Sequence, residues 1–390
     1  MKIFWIRHCE AEGNLYRRCH GQYNGLVTEN GKAQLSALQK RFENTKIDAI
    51  YSSDLYRAWR TANALAEPRG LIVTTHKGLR EIFLGPWEDM PWVETKRGWP
   101  EDDAAFSLRP WEFALKSAET IDEIVERGVS ALREIVLRHK SEDSIAIVSH
   151  GMFTRALMTR ISGLSVKEIN TLPHGDNTSV SVLNYENNKY SIELYADNSH
   201  LGELSTLAQQ SWWREGTDTV DPGFLFRTPD FKTESKRVEA YRRDAWFSIY
   251  GDLVGYEAGS LLNMAREQQA GHPRAVVFAV EDGEPVGILQ LDVEANLKPG
   301  TGHISFFYLE PRCRGKGMGV QLLGHAVSVY RELGRSEVVL RVADSNEHAL
   351  YFYKKHGFKQ FGIEDGHKGQ LLLLSLDITV PPNEPSVQWR

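Results

Sequence analysis

Arg7 and His8 stand side by side directly after the apolar run Ile3–Ile6, in "MKIFWIRHCEAEGN". A second histidine, His150, closes another apolar run in "IAIVSHG", and "IDAIYSSDLYR" runs into a helix whose first turn carries Arg57. Two arginines and two histidines suit a phosphoryl group. Guanidinium forks neutralise its oxygens through bidentate hydrogen bonds, one imidazole attacks phosphorus, and the other donates to the developing equatorial charge. That set lacks a proton donor for the leaving alkoxide. Glu81 in "LREIFLGPWE", just after the run "GLIVTT", is the candidate, serving later as base on the attacking water.

These residues meet only if strand ends meet. "KIFWI", "IDAIYSS", "GLIVTT" and "DSIAIVSH" read as strands, separated by the helical stretches "TENGKAQLSALQKRFEN" with a Thr28 N-cap, "LYRAWRTANALAEP" and "TIDEIVERGVSALREIVLRHK". Alternating strands and helices predict a parallel sheet with helices on both faces, and ligands then bind beyond the strands' carboxyl ends. The Trp- and Pro-rich stretch from Pro86 to Phe113 breaks this rhythm and is expected to be a functional lid that shapes the pocket.

Taken in order, these motifs resemble those of the histidine phosphatase superfamily, also called phosphoglycerate mutase-like. "IRHCEAEGN", "HGQYNGLVTENG", "SSDLYRAWRTA", "LREIFLGPWE" and "VSHGMFTR" match its signatures, and "ADNSHL" its closing segment. The resemblance implies a three-layer α/β/α domain with a mostly parallel sheet, spanning residues 1–202. It implies a phosphohistidine formed on His8, a phosphate pocket of Arg7, Arg57 and His150 with Asn14, and Glu81 as acid and base, with no metal. The activity implied is that of a histidine acid-type phosphatase on a small-molecule phosphomonoester. Mutases of the superfamily carry a His-Tyr-Gly stretch near the acid, where this chain has "FLGPWED", so hydrolysis is favoured over the alternative of phosphoryl shuttling. The glycine usual after the catalytic histidine is Cys9, and the usual Asp of the turn motif is Asn24. Cys9 is either an oxidant-sensing thiol beside an electropositive site or a small packing residue.

A second constellation lies in "YLEPRCRGKGMGVQLL", a glycine-rich turn between an apolar strand and a helix. Such a turn presents backbone N–H groups to a pyrophosphate. A dinucleotide fingerprint would need glycine at position 320, which is Val320, although Asp344 stands about where a ribose-binding acid would. The turn resembles instead the acetyl-CoA motif of GNAT acetyltransferases, through Arg314, Gly317 and Gly319, and "NEHALYFYKKHGF" resembles the second half of that family. The resemblance implies an α+β domain with a mixed sheet over residues 223–380, taking acetyl-CoA as co-substrate and an amine as acceptor. Leu309, Arg314, Gly315, Lys316, Gly317, Met318 and Gly319 would hold the cofactor, Asn346 would lie along the pantetheine arm, and Tyr353 would protonate the leaving thiolate. A thiolate of pKa about 8.5 needs only modest help. No general base is legible, with water or a hairpin acid such as Glu281 as candidates. The alternative is a module that senses acetyl-CoA without transferring it.

Composition sets outer bounds. At 390 residues, two domains are expected, with 203–222 as linker and 381–390 as a C-terminal tail. A net charge of −6, with both signs mixed along the chain, makes nucleic acid a poor partner. Three cysteines without framework or zinc spacing fit a reducing, cytoplasmic setting. No run approaches the roughly 18 apolar residues of a membrane span, and the N-terminal apolar run is too short for a signal peptide core.

Overall fold

In the computed structural model, which describes residues 1–210, 223–295 and 298–381, Lys2–Arg7 forms the first strand, β1, and Ala49–Ser52, Val73–Thr75 and Ser144–Ser149 form β2, β3 and β4. Their residues are apolar on both faces. Ile3, Trp5, Ile145 and Ile147 enter one buried cluster, with helices Ile121–Val136 and Gly151–Ile161. Ile6, Ala146 and Val148 enter another, with helices Glu29–Arg41 and Tyr56–Ala66. Burying a side chain of this size stabilises the fold by roughly 1.5–3 kcal/mol, so both faces must stay covered. The result is a three-layer α/β/α unit. Thr28 caps the helix it was expected to cap, accepting from Gly31 N at 3.0 Å.

The sheet order is β3-β2-β4-β1-β5-β6. The four strands legible as apolar runs are parallel. Val180–Glu186 (β5) and Lys189–Asp197 (β6) add an antiparallel hairpin beside β1, which the expectation of strict strand–helix alternation missed. Its turn is Asn187-Asn188, with φ of 53° and 60°, a pair that tolerates the left-handed region of a tight hairpin.

The described residues separate into two compact units, one holding residues 1–210 and the other residues 223–379. Of the expected linker, residues 211–222 lie outside the described residues, as do 382–390 of the expected tail. Residues 203–210 are hydrogen-bonded within the first unit: Thr206 Oγ1 donates to Glu10 Oε2 (2.8 Å), and Gln210 Nε2 donates to the Asn14 carbonyl (2.9 Å).

The second unit holds Leu225–Arg227 (β7), Val276–Glu281 (β8), Glu284–Asp292 (β9), Thr301–Leu309 (β10), Glu337–Ala343 (β11), Lys359–Asp365 (β12) and Gln370–Asp377 (β13). They form one mixed sheet, β12-β13-β11-β10-β9-β8-β7, parallel only between β10 and β11. Asp282-Gly283 turns the β8–β9 hairpin as the sequence predicts, at φ of 50° and 83°. Helices Ser235–Tyr250 and Ala258–Gly271 cover one face, and helix Val320–Glu332 is buried along almost its whole length. Among the described residues no helix is long and apolar enough to cross a membrane.

Buried histidines tie stability to pH. Burial, aided by neighbouring cations, lowers His200 in the first unit and His303 and His356 in the second to about 4. Each stays neutral in the fold but takes a proton in the unfolded chain below about 6.5. Between those values the unfolded state binds more protons, so stability is present at neutral pH and lost as pH falls through the window. Melting temperatures of both units, recorded from about pH 7 down to about pH 5 where carboxylates still stay ionised, are expected to drop. A flat profile would show that these imidazoles are hydrated in solution.

Candidate active sites

The parallel register of β1 and β4 pairs Arg7 with Ser149, so the next residues, His8 and His150, come side by side with ring centroids 5.1 Å apart. Register between β2 and β4 brings Ser53 level with Ser149, Ser53 N donating to the Val148 carbonyl at 3.0 Å, and the helix that follows carries Arg57 into the same crevice. Arg57 Nε donates to His8 Nε2 at 3.3 Å. The remaining guanidinium nitrogens are held by the carbonyls of Tyr23 (2.9 Å), His20 (3.1 Å) and Gly21 (2.7 Å). The loop His20–Tyr23 thus aims Arg57 at the histidines.

His8 Nδ1 lies 2.6 Å from the Cys9 carbonyl. A carbonyl only accepts, so Nδ1 carries the proton and Nε2 keeps its lone pair. Burial, then Arg57 and Arg7, push the His8 imidazole well below its usual value, and burial with Arg57 and His8 does the same to His150. His8 is therefore a neutral imidazole at physiological pH, with its unprotonated nitrogen beside a guanidinium. Both nitrogens of His150 and Nε of Arg7 are buried without a hydrogen-bond partner among the described residues. Arg7 Nη1 donates to the Gly175 carbonyl at 2.5 Å. Gly151 lies against it: a side chain there would come within 3.3 Å of Arg7 Cζ. Buried donors left open around one lone pair fit a small anion.

Glu81 reaches this crevice from the loop after β3. Its Oε1 accepts from Phe153 N (2.8 Å) and Ile82 N (3.0 Å), and its Oε2 from Met152 N (3.0 Å), which fixes the carboxyl at the N-terminus of the helix that begins after His150. The five residues expected from chemistry are thus gathered at one end of the sheet. Asn14 is nearby but differently employed: its Oδ1 accepts from Ala11 N (3.1 Å) and from Asn177 Nδ2 (3.4 Å).

Several supporting residues escaped the sequence reading. Arg127 donates to the carbonyls of Gly78 (3.2 Å), Arg80 (2.7 Å) and Glu81 (2.8 Å) while Glu119 holds its other side; this clamps the loop that carries Glu81. Glu88 accepts from the amides of Gln22 (2.8 Å), Tyr23 (2.5 Å) and Leu84 (3.0 Å), binding the Arg57-aiming loop to the Glu81 loop. Asn177 Nδ2 donates to the His8 carbonyl at 3.0 Å. Each lies on a separate segment with no shared spacing, so only the fold reveals the network.

The Trp-rich stretch differs from expectation. It folds into helices Trp92–Gly98 and Pro100–Leu108, and its rings mostly face one another: Trp87 lies 5.3 Å from Phe113 and 6.0 Å from Phe106, which lies 5.7 Å from Trp92. Trp87 and Phe113 belong to the same buried cluster as Ile3, Trp5 and Ile147, with Trp92 and Phe106 packed against it, while Glu88 braces the loop that aims Arg57. Cys9 is fully buried, and burial pushes its thiol up to about 12. Desolvation outweighs the Thr61 hydrogen bond and Arg60, and Cys9 packs with Leu35 and Ala64, as the packing reading expects.

In the second unit, β10 pairs with β11 only from Thr301 to Ile304, opposite Glu337–Leu340. A bulge at Ser305 starts a divergence that leaves facing edges of β10 and β11 open to their ends. The turn after β10 takes φ of 73° at Gly315 and 71° at Gly317, which glycine adopts freely. Among the described residues the amides of Gly315, Lys316, Gly317 and Gly319 donate to no backbone carbonyl, and helix Val320–Glu332 starts directly behind them, its positive end toward the turn. Arg314 Nε donates back to the Leu309 carbonyl at 2.8 Å, closing the turn on its strand, and Met318 is buried beneath it. A sheet in which β9 runs antiparallel to β10 excludes the doubly wound dinucleotide fold.

Tyr353 is buried among Phe307, Phe352 and Phe358, with centroids 5.1–6.2 Å away, and burial pushes its phenol up. Asn346 Oδ1 accepts from Ala349 N at 3.2 Å, so its carbonyl oxygen caps a helix. Glu281 ends β8 and lies 3.7 Å from Arg312 Nη1.

Comparisons with known proteins divide the chain in the same way. The family model described as histidine phosphatase superfamily (branch 1) matches residues 3–198, and that described as acetyltransferase (GNAT) family matches residues 237–358. Phosphoglycerate mutase-like protein 4 of Arabidopsis thaliana is 32% identical over 210 residues, 53% of this chain and 89% of that protein. Phosphoserine phosphatase 1 of Hydrogenobacter thermophilus is 28% identical over 211 residues, 54% of this chain and 99% of that protein. The solved structure of Bacillus stearothermophilus YhfR has a TM-score of 0.50 and 28% identity, covering 51% of this chain and 98% of that one.

Proposed function

We propose, for a chain that belongs to the histidine phosphatase superfamily (branch 1) and carries a GNAT acetyltransferase domain, two chemistries: hydrolysis of a small phosphomonoester through phospho-His8, and acetyl transfer from acetyl-CoA to an amine. In the first, Arg7, Arg57 and His150 bind the phosphoryl oxygens. His8 Nε2 attacks phosphorus, the P–O bond to the alcohol breaks, and Glu81 gives its proton to the alkoxide. The Glu81 carboxylate then takes a proton from water as that water's oxygen attacks phosphorus; the P–N bond breaks, releasing phosphate and restoring His8. No metal is needed for either step.

In the second, the Arg314–Gly319 turn would hold the pyrophosphate of acetyl-CoA, and the gap between β10 and β11 would take the pantetheine arm. The acceptor nitrogen attacks the thioester carbonyl, the C–S bond breaks and Tyr353 protonates the leaving thiolate; the proton that the nitrogen loses passes to water, which returns one to Tyr353. Asn346 keeps only its amide nitrogen for the pantetheine, since its oxygen is a helix cap.

One observation carries the phosphatase reading: a neutral His8 whose unprotonated Nε2 is oriented by Arg57, among buried, partnerless nitrogens of Arg7 and His150. Likeness to a phosphoserine phosphatase puts O-phosphoserine first in a panel with sugar phosphates and 3-phosphoglycerate, assayed in chelator with acetyl-CoA and mixed amines while phosphate and CoA are followed together. Release of phosphate, with an acid-labile phosphoenzyme trapped on His8, supports the proposal. Phosphoryl exchange between positions of 3-phosphoglycerate without net hydrolysis would replace it by a mutase. For the second domain, Tyr353→Phe is expected to slow CoA release about tenfold or more. CoA release unchanged by that variant would remove the acid assignment, and acetyl-CoA binding without any CoA release would make the domain a sensor.

A further inference from the structure

Helix Ser235–Tyr250 covers the face of the second sheet that carries Gln290 of β9 and its cross-strand partner Phe306 of β10. Arg242, midway along the helix, lays its guanidinium over the Phe306 ring, with Cζ 4.0 Å from the centroid, and donates from Nη2 to Gln290 Oε1. Among the described residues it forms no ion pair. Asp244, the acid two residues on, is taken up by the Tyr308 hydroxyl (2.6 Å) and faces Arg314 (3.9 Å). A guanidinium drawn out of water without a counter-ion loses more hydration than one cation–π contact returns.

The groups around it share one character. Arg242 Nε is buried without a partner, and so are Nε2 of the fully buried Gln290 and Nε1 of Trp246, one helical turn on. All three are donors. The contact with Arg242 fixes the Gln290 amide, because only its oxygen can accept from a guanidinium. Phe306 directly follows the bulge at Ser305, where β10 parts from β11. An anion held here therefore sits at the apex of the gap proposed for the pantetheine arm. One cation with two neutral donors matches a single negative charge better than a dianion, and a planar guanidinium suits the planar carboxylate.

We propose that Arg242, Gln290 and Trp246 bind a carboxylate of the acetyl acceptor, so that the acceptor is an amino acid or a similarly compact amino-carboxylate. The proposal rests on the acetyltransferase reading of this domain. Trp246 stands against Tyr250, Tyr256 and His367, with centroids 4.7–5.9 Å away, an aromatic surface that an apolar acceptor side chain would meet.

The test uses the full chain loaded with CoA and matched probes: L-serine, ethanolamine and O-phosphoethanolamine, and L-phenylalanine with phenethylamine. Binding is measured by calorimetry, and CoA release is measured separately from acetyl-CoA. Each amino acid is expected to bind about a hundredfold more tightly than its decarboxylated partner, and Arg242→Gln to erase that difference, with Arg242→Lys restoring part of it. Equal binding of acid and amine by the wild-type protein overturns the proposal without recourse to any variant, and so does a preference for O-phosphoethanolamine over L-serine. Carboxylate-selective binding with no CoA released from any probe leaves the site standing and refutes the transferase reading instead.

Discussion

Phosphate release by the His8→Ala protein is expected to fall at least about 10⁴-fold, to the level of the remaining electrostatic pocket. In the proposed reaction every turnover passes through a P–N bond to His8 Nε2, and the other groups that Arg57 holds are backbone carbonyls, which cannot form such a bond. His150→Ala removes a hydrogen-bond donor and leaves the nucleophile, so a smaller loss of about 10²–10³-fold is expected. CoA release by the His8→Ala protein, together with its melting temperature, reports whether the chain is folded. Phosphate release that survives His8→Ala while both controls are normal would sink the phosphohistidine mechanism.

How far the sequence could carry that site depends on what kind of residue is asked about. His8, His150, Arg57 and Glu81 were legible because reactive groups follow apolar runs, and a buried parallel strand announces itself by such a run. The β5–β6 hairpin was not, because β6 alternates buried and exposed residues only weakly, and the signal lay in Asn187-Asn188. β12 is exposed along nearly its whole length, so no apolar pattern marks it. The Trp-rich stretch misled for the opposite reason: its aromatic content is strong, but its energy is spent on packing. Arg127, Glu88 and Asn177 act on backbone groups, and a bond to a carbonyl leaves no trace in the partner's side chain. Arg242 is another such case, an arginine on an ordinary helix until the sheet brings Gln290 and Phe306 beneath it.

Glu81→Gln separates the two proton transfers. The amide keeps the shape of the carboxyl and can still accept from helix amides at Phe153 or Met152, so folding is expected to survive, but it can neither give nor take the catalytic proton. With an alkyl phosphate the departing alkoxide needs that proton, and kcat is expected to fall about 10²–10⁴-fold. An aryl phosphate with a good leaving group does not need it, so the first P–O cleavage should remain fast. The second step still lacks its base, because water attacking phospho-His8 must lose a proton. The variant should therefore release a stoichiometric burst of the aryl alcohol, then turn over slowly, with the phosphoenzyme accumulating on His8. Equal losses on both esters with no burst would mean that Glu81 serves only to position the helix N-terminus, and the acid would have to be sought elsewhere in the crevice.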